Sequence, residues 1–460
     1  MLRKIATTES KSRKKRKRKV RAGENVHPLS AAIDFFLRRV LDIQELATVF
    51  IPISAKVVQS RVNTLGRELE KYGPKMASKK TAERVKVIRH LERIIHELQE
   101  LDKSDMPNVL EASLFNALFS ALDAFMGDLL TALYTKRPEL FSSMNRTVPV
   151  KDILRFGTFD EIKKKALDEE IDSFRRNSYE DQFQSLENTF DIKLKDFSRW
   201  PDFIECTQRR NLLTHCDGVV SEQYIKTCTS SGVKLRPEIK IGHKIQLGRD
   251  YFMASSDLLG EVAFKLTHTL WRKVLPSELA DADKYLSRTI YDLLFDSRWK
   301  RAQVFGEFAM NQKRFSSDLD KRICLVNYAI ALKFGGNPSE AKKVMASTDW
   351  SAASYDFKIA NAVLTDDLSG AAGMMREMGS EGELISEEAY HVWPLFKEFR
   401  ESESFLKAYQ AIYKRPFILE LKKAADVAKR NLVPTKSAGT NGTHKRKQLA
   451  PNSGNNGVHK

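Results

Sequence analysis

Ala112 to Tyr134 reads ASLFNALFSALDAFMGDLLTALY, and how this stretch folds decides the architecture. Leu114, Leu118, Leu122, Phe125 and Leu129 recur at three- and four-residue spacing, the period of a helix. Apolar side chains on overlapping faces suit a helix surrounded by others, so a bundle centred on residues 110 to 134 is expected. Asp123 and Asp128, with polar residues at helical spacing, interrupt the stretch. It therefore reads as a core helix and not as a membrane span.

The same period continues in both directions. Upstream, KKTAERVKVIRHLERIIHELQEL carries a stripe of Ile88, Leu91, Ile95 and Leu98, long enough to pair with a neighbouring helix. Downstream, a helix over Thr158 to Arg176 opens on a Thr158/Glu161 capping box, and one over Ser178 to Phe190 opens on Ser178 with Asp181 three residues on. The acidic run DEEID in the first of these reads as a solvated helix face, not a two-metal site. Ser198 and Pro201 open a helix carrying FIECTQRRNLLTH, which is expected to stop at Asp217-Gly218. Ser221 caps the next helix, and a last long one runs from about Arg249 to Trp271. Only VKLRPEIKIGHKIQL alternates with the period of a strand.

After Pro276 the texture changes to short helices separated by turns. CLVNYAIALKFGGNPSEAKKVM reads as a helix pair in which small Ala329 and Ala341 allow close approach and Gly335-Gly336-Asn337 forms the turn. The expected organisation is a basic tail over 1–24, a helical extension over 25–108, a helical bundle over 109–275, a helical-hairpin array over 276–425 and a second tail over 426–460. The fold class is mainly α.

Composition narrows the function classes. The 460-residue chain carries a formal charge of +17, but its tails hold most of it. Residues 1–22 have eleven Lys and Arg against Glu9, residues 430–460 have six and no acid, and the body is left at about +1. The KKRKRK run has three readings: a polyelectrolyte that strengthens RNA binding, an import signal in a nucleated cell, or a solubilising arm. Cys206, Cys216, Cys228 and Cys324 show neither CxxC spacing nor the density of a disulfide framework, which fits a reducing, cytoplasmic setting and no zinc site. No phosphate-binding GxxxxGK[ST] loop, no GxGxxG after a strand and no HExxH occurs, so nucleotide hydrolysis and zinc peptidase chemistry are not expected. His90, His96, His243, His268 and His391 lack ligand spacing, and neither a metal nor a cofactor is implied.

One stretch carries chemistry. Gln208 to Ile225 reads QRRNLLTHCDGVVSEQYI, with Arg210, Asn211 and His215 in six residues. On a helix Asn211 and His215 share a face, and Arg210 has the longest reach of the three. An imidazole titrating near neutrality can take a proton from a ribose 2′-hydroxyl, and an arginine fork can hold the phosphate it attacks. The nucleophile is then part of the RNA, which DNA lacks. Arg209 offers a second arginine, and Glu205 stands four residues before it, placed to pair with it.

RRNLLTHCDG resembles the RNxxxH signature of HEPN domains, a helical-bundle family. The resemblance covers roughly residues 110 to 272 and includes the two upstream helices, the Gly-Val-Val exit, Tyr224 and a closing amphipathic helix. It implies a metal-independent endoribonuclease in toxin or antiviral defence, with Arg210, Asn211 and His215 as catalytic residues and Glu205 and Arg209 as accessory ones. It also implies a homodimer, because two copies of the motif usually meet in this family. The segment after Pro276 weakly resembles a tetratricopeptide array, implying a protein partner there. Two other readings stand beside these: a noncatalytic scaffold that dimerises through the bundle, and an RNA-binding module without cleavage. No membrane partner is expected.

Overall fold

The computed structural model describes residues 26–418 apart from 78–79, 145–146 and 156–157, so both basic tails lie outside the described residues. The fold is mainly helical: among the described residues there is no strand, only one isolated bridge between Val219 and Lys244. The helices are α1 (Pro28–Tyr72), α2 (Thr81–Asp102), α3 (Met106–Lys136), α4 (Val150–Arg155), α5 (Phe159–Arg176) and α6 (Tyr179–Phe190). They continue as α7 (Trp200–His215), α8 (Glu222–Ser230), α9 (Arg249–Val274), α10 (Leu279–Phe295), α11 (Trp299–Met310), α12 (Asp318–Phe334) and α13 (Pro338–Ala346). The last four are α14 (Tyr355–Leu364), α15 (Leu368–Met378), α16 (Glu387–Val392) and α17 (Glu403–Tyr413). The chain divides into two compact units, one of residues 1–353 and 364–366, the other of 354–363 and 367–460. The division falls well beyond the change of texture after Pro276, because α10 and α11 pack on α9 of the bundle.

In the first unit α3 is the central helix. Phe115, Leu118, Phe119, Leu122, Phe125, Met126, Leu129 and Leu133 are all buried, as its continuous apolar faces require. Segment 81–136 contains the one stretch among the described residues that is long and apolar enough to span a bilayer. About two fifths of that stretch, 39 %, is buried inside the bundle. The first half of α1 lies along α3 and buries Leu29, Ile33, Phe36, Val40 and Ile43, so residues 28–47 belong to the bundle and do not simply extend from it. His27 caps α1: its Nδ1 accepts from the Leu29 N–H at 3.2 Å, which leaves Nε2 to donate to Glu278 at 2.7 Å. Beyond residue 47 α1 packs on α2 through Leu65, Leu69 and Tyr72 against Val87, Leu91 and Ile94. Leu91 and Leu98 of the expected stripe lie in the α2 seam, while Val87 and Ile94 take the places expected for Ile88 and Ile95, and Ile95 is left exposed. A four-three spacing fits two faces of the same helix, and only the partner helix selects between them.

The helix starts follow their caps. Thr158 accepts from the Glu161 N–H at 3.3 Å and Glu161 returns to the Thr158 N–H at 3.2 Å, while Ser178 and Ser221 cap α6 and α8. The strand-like segment is a correction. Residues 233–247 form turns, and Val233, Leu235, Ile239 and Ile245 alternate because they lean on the small core of Leu212, Val220, Tyr224 and Cys228. Period two without a partner strand makes no sheet. Helices α12 and α13 form the expected pair about Gly335 to Asn337, with Ala329 and Ala341 fully buried. In the second unit, buried Asp356 accepts from the N–H groups of Glu383, Leu384 and Ile385 at 3.3, 2.9 and 2.7 Å, pinning the turn before α16.

His268 on α9 sets an acid limit on stability. It is fully buried against Phe264, Trp271 and Tyr285, and neither ring nitrogen has a hydrogen-bond partner. Burial, with Arg272 nearby, pushes its pKa down to about 3. The folded chain therefore holds it neutral while the unfolded chain protonates it below about 6.5. Its contribution is intact above that pH and is lost as pH falls toward 3, at about 1.4 kcal/mol per unit. Stability measured by urea unfolding is expected to fall by roughly 2–3 kcal/mol between pH 6.5 and 4.5 from this group. His268→Leu is expected to flatten that slope, and an unchanged slope would show that His268 does not set it.

Candidate functional site

Helix α7 carries every residue that the sequence singles out. Pro201 sits in its first turn, where a missing N–H costs nothing, and its end is fixed by backbone geometry. Asp217 and Gly218 have φ of 49° and 76°, and the N–H groups of Cys216 and Gly218 both reach the Leu212 carbonyl. A side chain on Gly218 would stand 3.0 Å from the Ile245 carbonyl oxygen, so glycine is required there. The Ile245 N–H bonds the Gly218 carbonyl and the Val220 N–H bonds the His243 carbonyl, which holds the exit of α7 against residues 243–245. His215 is thereby the last helical residue.

The two arginines have different fates. Arg209 is buried, its Nε and Nη2 donate to Glu205 Oε1 at 2.8 and 2.7 Å, and its guanidinium lies 3.8 Å from the centre of the Tyr251 ring. Glu205 is satisfied on both oxygens, since Tyr224 Oη donates to Oε1 at 2.7 Å and Tyr251 Oη to Oε2 at 2.6 Å. Burial works against the Arg209 charge, but Tyr251 and Glu205 outweigh it and hold its pKa above the usual arginine value. Burial, then Glu205, raises the Tyr224 hydroxyl as well. Cys206, fully buried beside this group, is pushed up to about 12 by burial. These residues are occupied with one another.

Arg210 is half-buried and open. Its Nη1 donates to Asn211 Oδ1 at 3.1 Å, its guanidinium stands 5.9 Å from the Phe119 ring centre, and its carbonyl accepts from Thr214. Both Arg210 and Asn211 line a cleft of about 220 Å³ with Asp123, Arg175, Arg176 and Tyr179. The guanidinium groups of Arg175, Arg176 and Arg210 against the carboxylates of Asp123 and Glu180 leave the cleft with a net positive charge. Tyr179 Oη donates to Asp123 Oδ1 at 2.6 Å, and Arg175 Nε donates to the Asp123 carbonyl at 2.9 Å. Arg175 lies across Gly127 so closely that a Cβ there would come within 1.9 Å of its Nη2. That glycine lets an arginine from α5 cross the central helix and reach the cleft.

His215 does not line this cleft. It is exposed, and it makes no hydrogen bond or ion pair among the described residues. Residues five apart on a helix are separated by about 140° around its axis, so one chain presents Arg210 and His215 on different sides of α7. Arg175, Arg176 and Tyr179 were not singled out from the sequence, where the only signal is an Arg-Arg pair just before the Asn177-Ser178 helix start. On another side of α7 a wider cavity of about 580 Å³ is lined by Arg199, Glu205, Arg209, Arg236 and Tyr251, and holds none of Arg210, Asn211 and His215.

Fold and site together define a mainly helical protein with a cationic cleft along one helix and an exposed histidine at that helix's end. Set against known proteins, the chain matches no family model, no curated protein and no solved structure.

Proposed function

We propose that this chain is a metal-independent endoribonuclease of the HEPN type, acting in the cytoplasm in toxin or antiviral defence. The observation that carries the reading is the separation of the arginines. Arg209 is locked to Glu205, while Arg210 faces a cationic cleft with Asn211 beside it. In the reaction His215 takes the proton of a ribose 2′-hydroxyl, whose oxygen attacks the adjacent phosphorus as the 5′-oxygen leaves and gains a proton. Arg210 holds the non-bridging oxygens of the scissile phosphate, and Asn211 fixes the arginine through its amide oxygen. Because Arg210 and His215 diverge within a chain, the arginine of one copy works with the histidine of a second, and the active form is a homodimer. The helical hairpins over 276–425 are read as a tetratricopeptide-like array that recruits a protein partner.

One observation favours the noncatalytic alternative, an RNA-binding or scaffold protein. It is that His215 lies outside the Arg210 cleft of its own chain. End-group analysis separates the two. Purified protein incubated with mixed RNA in chelator is expected to leave 2′,3′-cyclic phosphate and 5′-hydroxyl ends. Salt-sensitive RNA binding without such ends would establish the alternative.

A further inference from the structure

Helix α1 keeps an apolar face that nothing among the described residues covers. Leu46, Phe50, Ile53 and Val57 are 42, 49, 46 and 46 % exposed, and Val49 beside them is 39 % exposed. Their four-three-four spacing places them within about 60° of one another on the helix surface. The inward face of the same half of α1, with Leu65, Leu69 and Tyr72, is already used against α2. A run of large exposed side chains at this spacing is the seam of a helix pair lacking its second helix.

We infer that this face of α1 binds the same face of a second copy, antiparallel, about a two-fold axis near Ile51 and Pro52. The register follows from the residues. Reversed upon itself about that point, the stripe sets Leu46 opposite Val57 and Phe50 opposite Ile53, each contact occurring twice. The same register carries Asp42 of each copy to Arg61 of the other at both ends of the seam. Asp42 and Arg61 are exposed, and neither has an ion-pair partner among the described residues. A surface whose apolar residues meet apolar ones and whose end charges meet opposite charges on reversal has the self-complementarity of an isologous contact. Charged pairs flanking an apolar seam also fix its orientation, and here they favour the antiparallel one. The seam contains none of Arg210, Asn211 and His215, so the inference stands apart from the nuclease reading.

Light scattering on the full chain tests it. A seam of this size lies at the low end of stable interfaces, so a dimer in the micromolar range is expected, approaching twice the 52.6 kDa of one chain at about 100 μM. Without RNA, Ile53→Glu is expected to give a monomer of unchanged helix content, because the side chain is exposed in the single chain; the pairing of Arg210 with His215 of a second copy uses another surface and is read by cleavage, not by mass. Asp42→Arg alone is expected to weaken the dimer about tenfold, through two lost pairs and the repulsion that replaces them. Asp42→Arg combined with Arg61→Asp is expected to restore it. A wild-type monomer at that concentration, a dimer indifferent to Ile53→Glu, or a double reversal that fails to restore association would each overturn the inference. Mass and RNA end groups are separate readouts, so a His215→Ala protein that dimerises but does not cleave leaves this inference intact.

Discussion

His215→Ala is expected to lower RNA cleavage about 100- to 10,000-fold, the range lost when a positioned general base is removed. Folding stability is expected to stay within about 0.5 kcal/mol of wild type, because the ring is exposed and bonds to nothing among the described residues. Arg210→Ala is expected to behave similarly, with loss of cleavage exceeding any loss of stability. Arg209→Ala should do the reverse: it strands the Glu205 carboxylate without its cation, leaving only the two tyrosine hydroxyls on it, so cleavage falls only as far as the folded fraction falls. Single-turnover cleavage and urea unfolding of the three variants separate these cases. If His215→Ala cuts RNA as fast as wild type, the assignment of the base fails. If Arg209→Ala is as stable as wild type and Arg210→Ala is not, the two arginines have been exchanged.

Why the sequence distinguishes some of these features and not others has a physical reason. Helix starts depend on local chemistry, so Thr158 with Glu161, Ser178 and Ser221 mark them in the one-dimensional pattern. The stop of α7 at Asp217-Gly218 is also marked locally by its positive φ, although the Ile245 carbonyl adds a nonlocal reason for glycine. Which face of α2 turns inward is not local. Val87, Leu91 and Ile94 are chosen by α1, and Ile88 and Ile95 would have served as well on pattern alone. The residues 233–247 alternate for the same nonlocal reason, leaning on Leu212 and Tyr224 without pairing as a strand. At the site, the four-residue spacing of Glu205 and Arg209 announces their pairing, but not that Tyr224 and Tyr251 close over it from two other helices. Arg175 is illegible in the sequence because its role depends on Gly127, 48 residues earlier. No spacing rule links a bare patch on one helix to a long side chain on another.

Glu205→Ala brings these strands together, since the site helix owes its seat to one carboxylate. The variant is expected to lose about 3–5 kcal/mol of folding stability, the range for breaking a buried ion pair from one side. Arg209 would be left buried and unpaired, and the hydroxyls of Tyr224 on α8 and Tyr251 on α9 would each lose their acceptor. The double variant Glu205→Gln with Arg209→Met is expected to recover much of the loss. It removes the stranded charge, and the glutamine oxygen remains as an acceptor for one tyrosine hydroxyl while its amide group donates to the oxygen of the other. Urea unfolding of the single and double variants checks both statements. A Glu205→Ala loss below about 1 kcal/mol would mean that the carboxylate is decorative and that α7 is held by its apolar contacts alone. The RNA cleavage of the double variant then carries a further meaning. Arg210 and Asn211 reach the cleft from the side of α7 away from this ion pair, so a refolded double variant should cleave nearly as well as wild type. A double variant that folds but does not cleave would instead make Arg209 or Glu205 part of the chemistry.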